Sequence, residues 1–423
     1  MQQETLAIHS GYEKDSQGTM SVPIYMSTAY DFGTSDFAAS SFKLEQGTDN
    51  VYTRVGNPTS AVLERRFAEV EGGSAALAVS SGMGAIFYSI LNIAEAGDNI
   101  VVSNQLYGGT ITLFTQTLKK LGIEARFFDV KSPSDIEALV DDKSKCIFFE
   151  TISNPSIDVP NFDEIINIAN KHNIVTIVDN TVATPFLSQP LLLGVDVVVH
   201  SASKYTTGQG TAIGGLIVER KNLVEKIKGN DRYNYFNEPE VSYHGLVFSD
   251  CPASGILFTF RARMILLRDT GAVLSPFNAW LFIQGLETLF LRIKQHSDSA
   301  LKVAKFLQTH PLVKKVNYPL LENDKSYDNA IKYLQKGASG LVSFEVENIE
   351  TAKVILDKVS LFSIVANIGD SKSIINHSAS TTHQQLKKDE LAKAGISEGL
   401  IRLSIGLENV DDLIADLEQA IRV

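Results

Sequence analysis

LLLGVDVVVHSASKYTTGQGTAIGG, residues 191–215, is an almost unbroken apolar run that ends in His200 and passes through a serine-flanked lysine into a glycine-rich loop. Such a run reads as a buried strand of a parallel sheet, over 191–199, and the carboxyl ends of such strands are where open α/β sheets place their ligands. Lysine is rarely buried without a partner, so Lys204 at that point asks for one. An aldehyde cofactor supplies it by condensing with the amine, and the hydroxyls of Ser201 and Ser203 can hold a phosphate nearby. The competing interpretation is a solvated loop lysine after a strand.

A second strand separates these alternatives. Residues 174–178 (IVTIV) are apolar and β-branched, and Asp179 follows at their end. The pyridine nitrogen of pyridoxal phosphate withdraws electrons well only when protonated, and a carboxylate beside it keeps it so. Asp at a strand end is also a common cap of the next turn, so it is the pairing with Lys204 that favours the cofactor. Ser80-Ser81-Gly82-Met83-Gly84 adds a candidate phosphate cradle: small residues permit close backbone approach, and the apolar stretch 85–93 continues as a helix whose N-terminus favours an anion. A tight turn would use the same residues. Tyr107, in LYGGT after the strand 99–102, can stack on a flat ring, although a core tyrosine would look the same.

Working outward, expected strands at 75–79, 99–102, 125–130, 146–149, 174–178 and 195–199 alternate with expected helices from Met83, near 112–121 and at 162–170, and 213–218 adds a strand. That order predicts an α/β fold with a mostly parallel sheet and helices on both faces. Residues 279–307 read as one or two long amphipathic helices joining two domains. A strand at 341–346, a helix at 351–359, a strand at 402–407 and a helix at 411–421 make a smaller α/β unit. Residues 1–57 lack sustained periodicity, as expected of an arm lying on another subunit. The expected division is therefore an arm at 1–57, a large domain at 58–270 and a small C-terminal domain at 271–423.

At 423 residues and 44% hydrophobic content, the chain exceeds what one core usually holds. Its net charge of -11 argues against nucleic acid or an anionic membrane as partner. No apolar stretch is long enough to span a bilayer, and the opening MQQETLAIHSGYEK lacks a signal-peptide core. Two cysteines, Cys146 and Cys251, suggest no disulfide framework, and no metal is expected. A cytoplasmic enzyme is the expectation.

SSGMGA, LYGGT, ETISNP, VDNT, HSASKY and IRLSIGLE, in this order along nearly the whole chain, resemble the Cys/Met-metabolism enzymes of pyridoxal phosphate fold type I. The resemblance implies a seven-stranded-type sheet, a cofactor carried on Lys204 and a pyridinium partner at Asp179. It implies the phosphate on the backbone of Gly82 and Met83 with Ser201 and Ser203, the ring stack on Tyr107, and Asn154 beside the cofactor hydroxyl. Tyr52 and Arg54, in YTRVGNPT, match residues that reach the cofactor phosphate of a neighbouring subunit, and Tyr52 would also border the substrate. Arg402 matches the arginine that grips the substrate α-carboxylate, a task suited to a planar bidentate donor, with Asn367 and Ser380 near it.

Finer features resemble the O-acetylhomoserine sulfhydrylases: the segment 230–248 (NDRYNYFNEPEVSYHGLVF), 268–271 (RDTG), 275–278 (SPFN), 366–370 (ANIGD) and 380–383 (STTH). Cystathionine lyases and synthases usually lack the 230–248 segment, and methionine γ-lyases carry a cysteine where Gly109 stands. Ser378 departs from the sulfhydrylase pattern, which generally has proline. The implied reaction is γ-replacement on O-acetyl-L-homoserine by sulfide, giving L-homocysteine and acetate for methionine biosynthesis, in a homotetramer with shared sites. A cystathionine or methionine lyase, or a cystathionine γ-synthase, is the alternative within the same chemistry. A binding protein that keeps the fold without turnover is the alternative from another class.

Overall fold

A computed structural model describes residues 1–43, 50–381, 391 and 395–422. The strands of the first sheet are β1 (Ala75–Val79), β2 (Asn99–Ser103), β3 (Glu124–Phe128), β4 (Ser144–Glu150), β5 (Val175–Asp179), β6 (Val197–Ser201) and β7 (Gly215–Glu219). They lie in the order β1-β7-β6-β5-β4-β2-β3. Pairing is parallel throughout except that β7 runs against both neighbours, β6 and β1. The fold is thus α/β with a mostly parallel sheet.

Period-two alternation explains why helices cover both faces. Ala76 and Ala78, Val101, Ile147 and Phe149, Val178, Val198, and Leu216 and Val218 enter one hydrophobic cluster. Their immediate neighbours Leu77 and Val79, Ile100 and Val102, Cys146 and Phe148, Val175 and Ile177, Val197 and Val199, and Ile217 enter the other. Each strand therefore feeds two cores, which is why these strands read as continuous apolar runs. Truncating a fully buried ring such as Phe148 to Ala would cost about 3–5 kcal/mol.

The run 191–199 needs correction. Its first part is the short helix Pro190–Leu193, with proline in its first turn and Gly194 at φ 108 closing it, so the strand begins only at Val197. Proline preset the first turn and a left-handed glycine ended it; apolarity alone did not distinguish helix from strand. The stretch near 112–121 is also less regular than expected: the helix Gly108–Thr112 continues into a π-helical segment, Leu113–Leu118.

The second sheet holds β8 (Lys315–Asn317), β9 (Leu341–Glu345), β10 (Ser363–Ile364), β11 (Ile374–His377) and β12 (Leu400–Ser404), in the order β10-β11-β12-β9-β8. The sequence had suggested only β9 and β12; the other three are two to four residues long, too short for periodicity to register. One unbroken helix, Pro276–Thr309, contacts the helix Pro58–Glu71 of the first sheet's core as well as β8, β9 and the helix Val410–Ile421. At 34 residues it is about 51 Å long, enough to reach from one sheet to the other. A Cβ on its Gly285 would lie 2.1 Å from the carbonyl of Thr206, so the loop that follows Lys204 crosses the helix where a side chain is missing. The segment 1–57 contains the helices Gln3–His9 and Ser35–Phe42.

Candidate active site

A cavity of about 350 Å³ opens at the carboxyl ends of β1, β2, β4, β5 and β6 and is lined from the other side by Arg402 and residues 366–368 of the second sheet's region. Gly82, Met83, Tyr107, Asn154, Asp179, Ser201, Ser203, Lys204, Asn367 and Arg402 all line it. Gly82 to Lys204 are brought together because successive strands of the first sheet end on one edge, and the second sheet adds Asn367 and Arg402.

The helix Gly82–Leu91 begins at the cavity wall. Ser81 caps it, its Oγ accepting from the N–H of Gly84 at 3.0 Å, which leaves the first-turn N–H groups of Gly82 and Met83 without intrahelical acceptors. A Cβ on Gly82 would stand 2.5 Å from Ser201 Cβ, so glycine is what allows the helix start and the end of β6 to meet. The result is a set of backbone donors beside serine hydroxyls, a fitting seat for a phosphate. Ser203 Oγ is itself engaged, accepting from Gly214 N at 3.0 Å.

Lys204 is half-buried and its Nζ donates to Asn367 Oδ1 at 2.6 Å. Burial, and then the positive charge of Arg402, push its amine below the usual lysine range, while Asp179 pulls the other way. A larger neutral fraction makes a better nucleophile toward an aldehyde. Asp179 Oδ1 accepts from Thr181 N at 2.9 Å, so the residue does cap the following turn and lines the cavity as well. Burial pushes its carboxyl up, and a protonated ring nitrogen would relieve that cost. The Tyr107 ring lies against Gly109, where a Cβ would come within 2.6 Å of Tyr107 Cε1; any larger residue at 109 would have to move the ring.

Arg402 comes from the middle of β12, with Asn376 and Ser343 as its register partners on either side. Its Nη1 donates to Asn154 Oδ1 at 3.0 Å and its Nη2 to the carbonyl of Asn367 at 2.9 Å. Its Nε is buried with no hydrogen-bond partner, and among the described residues no carboxylate forms an ion pair with it. Burial draws its pKa down to about 10, which leaves it charged at neutral pH. A buried guanidinium without an acid is a site for an anion. Asn154, expected beside a cofactor hydroxyl, is thus also a support for Arg402.

Three expected residues stand apart from this group. Tyr52 and Arg54 are exposed, with the Arg54 guanidinium 5.2 Å from the Tyr52 ring centre, and neither lines the cavity. Ser380 also lies outside the lining; its Oγ and His377 Nδ1 are 2.8 Å apart. Ser378 is buried and its hydroxyl has no partner among the described residues. Thr382 and His383 of the quoted STTH fall outside the described residues. The segment 230–248 sits at the opposite end of the first sheet: Tyr233 Oη accepts from Val175 N at 2.7 Å and donates to the Lys145 carbonyl at 2.8 Å, at the starts of β5 and β4.

Glu150 and Thr181 line the cavity although no role was assigned to them from sequence. Glu150 closes the apolar strand KCIFFE in the same way that Asp179 closes VTIVD, a signal that was available.

The residues present fit pyridoxal phosphate: an amine held below the usual lysine range, a carboxyl at one wall, a phosphate seat at a helix start and an aromatic ring. The comparisons agree. Residues 4–422 match the family model described as Cys/Met metabolism PLP-dependent enzyme. An O-acetyl-L-homoserine sulfhydrylase of Leptospira meyeri is 46% identical, over 99% of this chain and 96% of the relative. A homocysteine/cysteine synthase of Saccharomyces cerevisiae is 40% identical, over 99% and 97%. Among solved structures, a putative O-acetylhomoserine (thiol)-lyase of Campylobacter jejuni, which carries a pyridoxyl-lysine monophosphate, is 54% identical with a TM-score of 0.98 over the full length of both chains. The chain belongs to the Cys/Met-metabolism family of pyridoxal phosphate-dependent enzymes, and its fold is the type I fold of that family.

Proposed function

We propose that this member of the family is an O-acetylhomoserine sulfhydrylase, converting O-acetyl-L-homoserine and sulfide to L-homocysteine and acetate. The observation that carries the reading is the Arg402 group: a buried guanidinium with a free Nε, bonded to Asn154 and Asn367, with Asn367 in turn bonded to Lys204. It sets the grip for an amino acid's carboxylate one hydrogen-bonded step from the amine. The names of the relatives supply the choice of ester and of sulfide.

When bound, pyridoxal phosphate supplies an aldehyde for amines and a ring that takes up electrons from the substrate carbons. Lys204 would hold the cofactor, and its amine is placed to take the Cα proton and move protons along the substrate chain. Asp179 would keep a proton on the ring nitrogen. Tyr107 would lie beside the cofactor ring, and Gly82, Met83, Ser201 and Ser203 would hold its phosphate. Arg402, steadied by Asn154, grips the α-carboxylate bidentately. In the net reaction the Cγ–O bond to acetate breaks and a Cγ–S bond to sulfide forms.

The exposure of Tyr52 and Arg54 away from their own cavity supports the reading that they complete the phosphate site of a second copy, in a homotetramer of paired dimers. No described helix is long and apolar enough to cross a membrane, and a cytoplasmic location is the accompanying proposal. The test is homocysteine formation by cofactor-loaded protein, with O-acetyl-homoserine, O-succinyl-homoserine and cystathionine offered in parallel. Product from the acetyl ester that requires sulfide is expected. Release of homocysteine or cysteine from cystathionine without sulfide would move the assignment to a lyase.

A further inference from the structure

Glu150 ends β4 directly beside Asp179 at the end of β5, the two being register partners across the parallel pair. It is buried and lines the cavity. Its Oε1 accepts from the backbone N–H of Tyr107 at 2.7 Å, and its Oε2 accepts from the backbone N–H of Asn154 at 3.1 Å. These N–H groups belong to two separate loops, one following β2 and one following β4. The first loop carries the aromatic ring of the cavity. The second carries the amide whose Oδ1 accepts from Arg402. No lysine or arginine pairs with Glu150 among the described residues, so both oxygens are committed to these backbone donors.

We propose that Glu150 is a positioning residue of this site, a two-oxygen tie that fixes the Tyr107 loop and the Asn154 turn against each other and, through Asn154, sets the direction of Arg402. Only a carboxylate at this strand end meets two converging N–H donors at once, since it offers acceptors on both sides and no donor. Glutamine of the same shape would turn an NH2 group toward one of them and leave a buried N–H without a partner. Burial, and then the adjacent charge of Asp179, press the Glu150 carboxyl well above its usual range. The backbone donors offset part of that pressure.

The inference rests on the proposed role of Arg402, so the test separates the two. Wild-type protein loaded with pyridoxal phosphate is first titrated with O-acetyl-homoserine and the visible spectrum followed; an unresponsive wild type would count against the proposed function and not against Glu150. With a responsive wild type, E150Q is expected to keep its melting temperature within a few degrees and kcat within a few-fold. The half-saturating amino-acid concentration should rise about tenfold, the scale of one lost buried hydrogen bond. The visible circular dichroism of the bound cofactor should weaken, because the ring beside it is no longer fixed. Asn154→Ala should raise half-saturation similarly, and the double variant should add little to either single one. An unchanged half-saturation in E150Q, an unchanged dichroism, or independent multiplication of the two effects would overturn the proposal. If E150Q does not fold, Glu150→Asp is read in its place: it keeps the charge but is too short to reach both N–H groups, and the same outcomes apply.

Discussion

The two sheets contribute to one cavity in different ways. The seven-stranded sheet delivers its residues from strand ends: Asp179, Ser201 and Lys204 stand where β5 and β6 stop, and Gly82 and Tyr107 stand in the turns after β1 and β2. The five-stranded sheet delivers Arg402 from mid-strand, paired on both sides, and Asn367 from the loop between β10 and β11. A strand end is a place where a cofactor can be reached by several short side chains at once. A mid-strand position lets a long side chain project along a fixed line. On the proposed function, cofactor chemistry falls to the first sheet and substrate grip to the second, and three substitutions test that division.

The largest effect is expected at Lys204. Lys204→Ala removes the cofactor's attachment and the proton carrier together, and sulfide-dependent homocysteine formation should fall by about 10³-fold or more. Activity within tenfold of wild type would place the proton transfer elsewhere. Asp179→Asn comes next: it leaves the Thr181 cap largely intact but removes the charge that holds a proton on the ring nitrogen. The expected loss is about 10²-fold in kcat with a small change in amino-acid KM. Arg402→Gln, on the other sheet, should show the reverse pattern. KM for O-acetyl-homoserine rises about 10- to 100-fold, the scale of a charge-assisted bidentate contact, while the protein still retains pyridoxal phosphate once loaded. If Arg402→Gln released the cofactor, or Asp179→Asn raised KM alone, the division between sheets would fail.

Much of this site was legible because the first sheet writes it in local signals. An apolar β-branched run that stops at a charged residue marks both Asp179 and Lys204, and small residues before an apolar helix mark Gly82. Glu150 carries the same mark, but a carboxylate without a cofactor atom to serve suggests no role until its two backbone donors are seen. Arg402 could be found only by resemblance, since a single arginine within IRLSIGLE has no local pattern that separates it from a surface charge. The fold was readable for a related reason: the strands of the first sheet other than the edge strand β3 are apolar on both faces, whereas β8, β10 and β11 are too short to show a period. The helix at Pro190–Leu193 was lost inside an apolar run because proline and Gly194, not hydrophobicity, set its limits.

The smallest effect discriminates most finely, because the two sheets act on Lys204 with opposite sign. In the apo-protein the amine is held below the ordinary lysine range by burial first and by the charge of Arg402 second, and is raised by Asp179. Capture of pyridoxal phosphate needs the neutral amine, so its rate rises with pH through the Lys204 pKa, with a midpoint below the ordinary value of about 10.4. Arg402→Gln removes a charge that lowers the pKa; its midpoint should move up, and capture at neutral pH should slow a few-fold. Asp179→Asn removes a charge that raises the pKa; its midpoint should move down and capture should quicken. Stopped-flow absorbance of apo-protein mixed with the cofactor, run across pH for the three proteins, reads both shifts. Shifts in the same direction would mean that altered burial, not charge, sets this lysine, and that the second sheet reaches the amine only by closing over it.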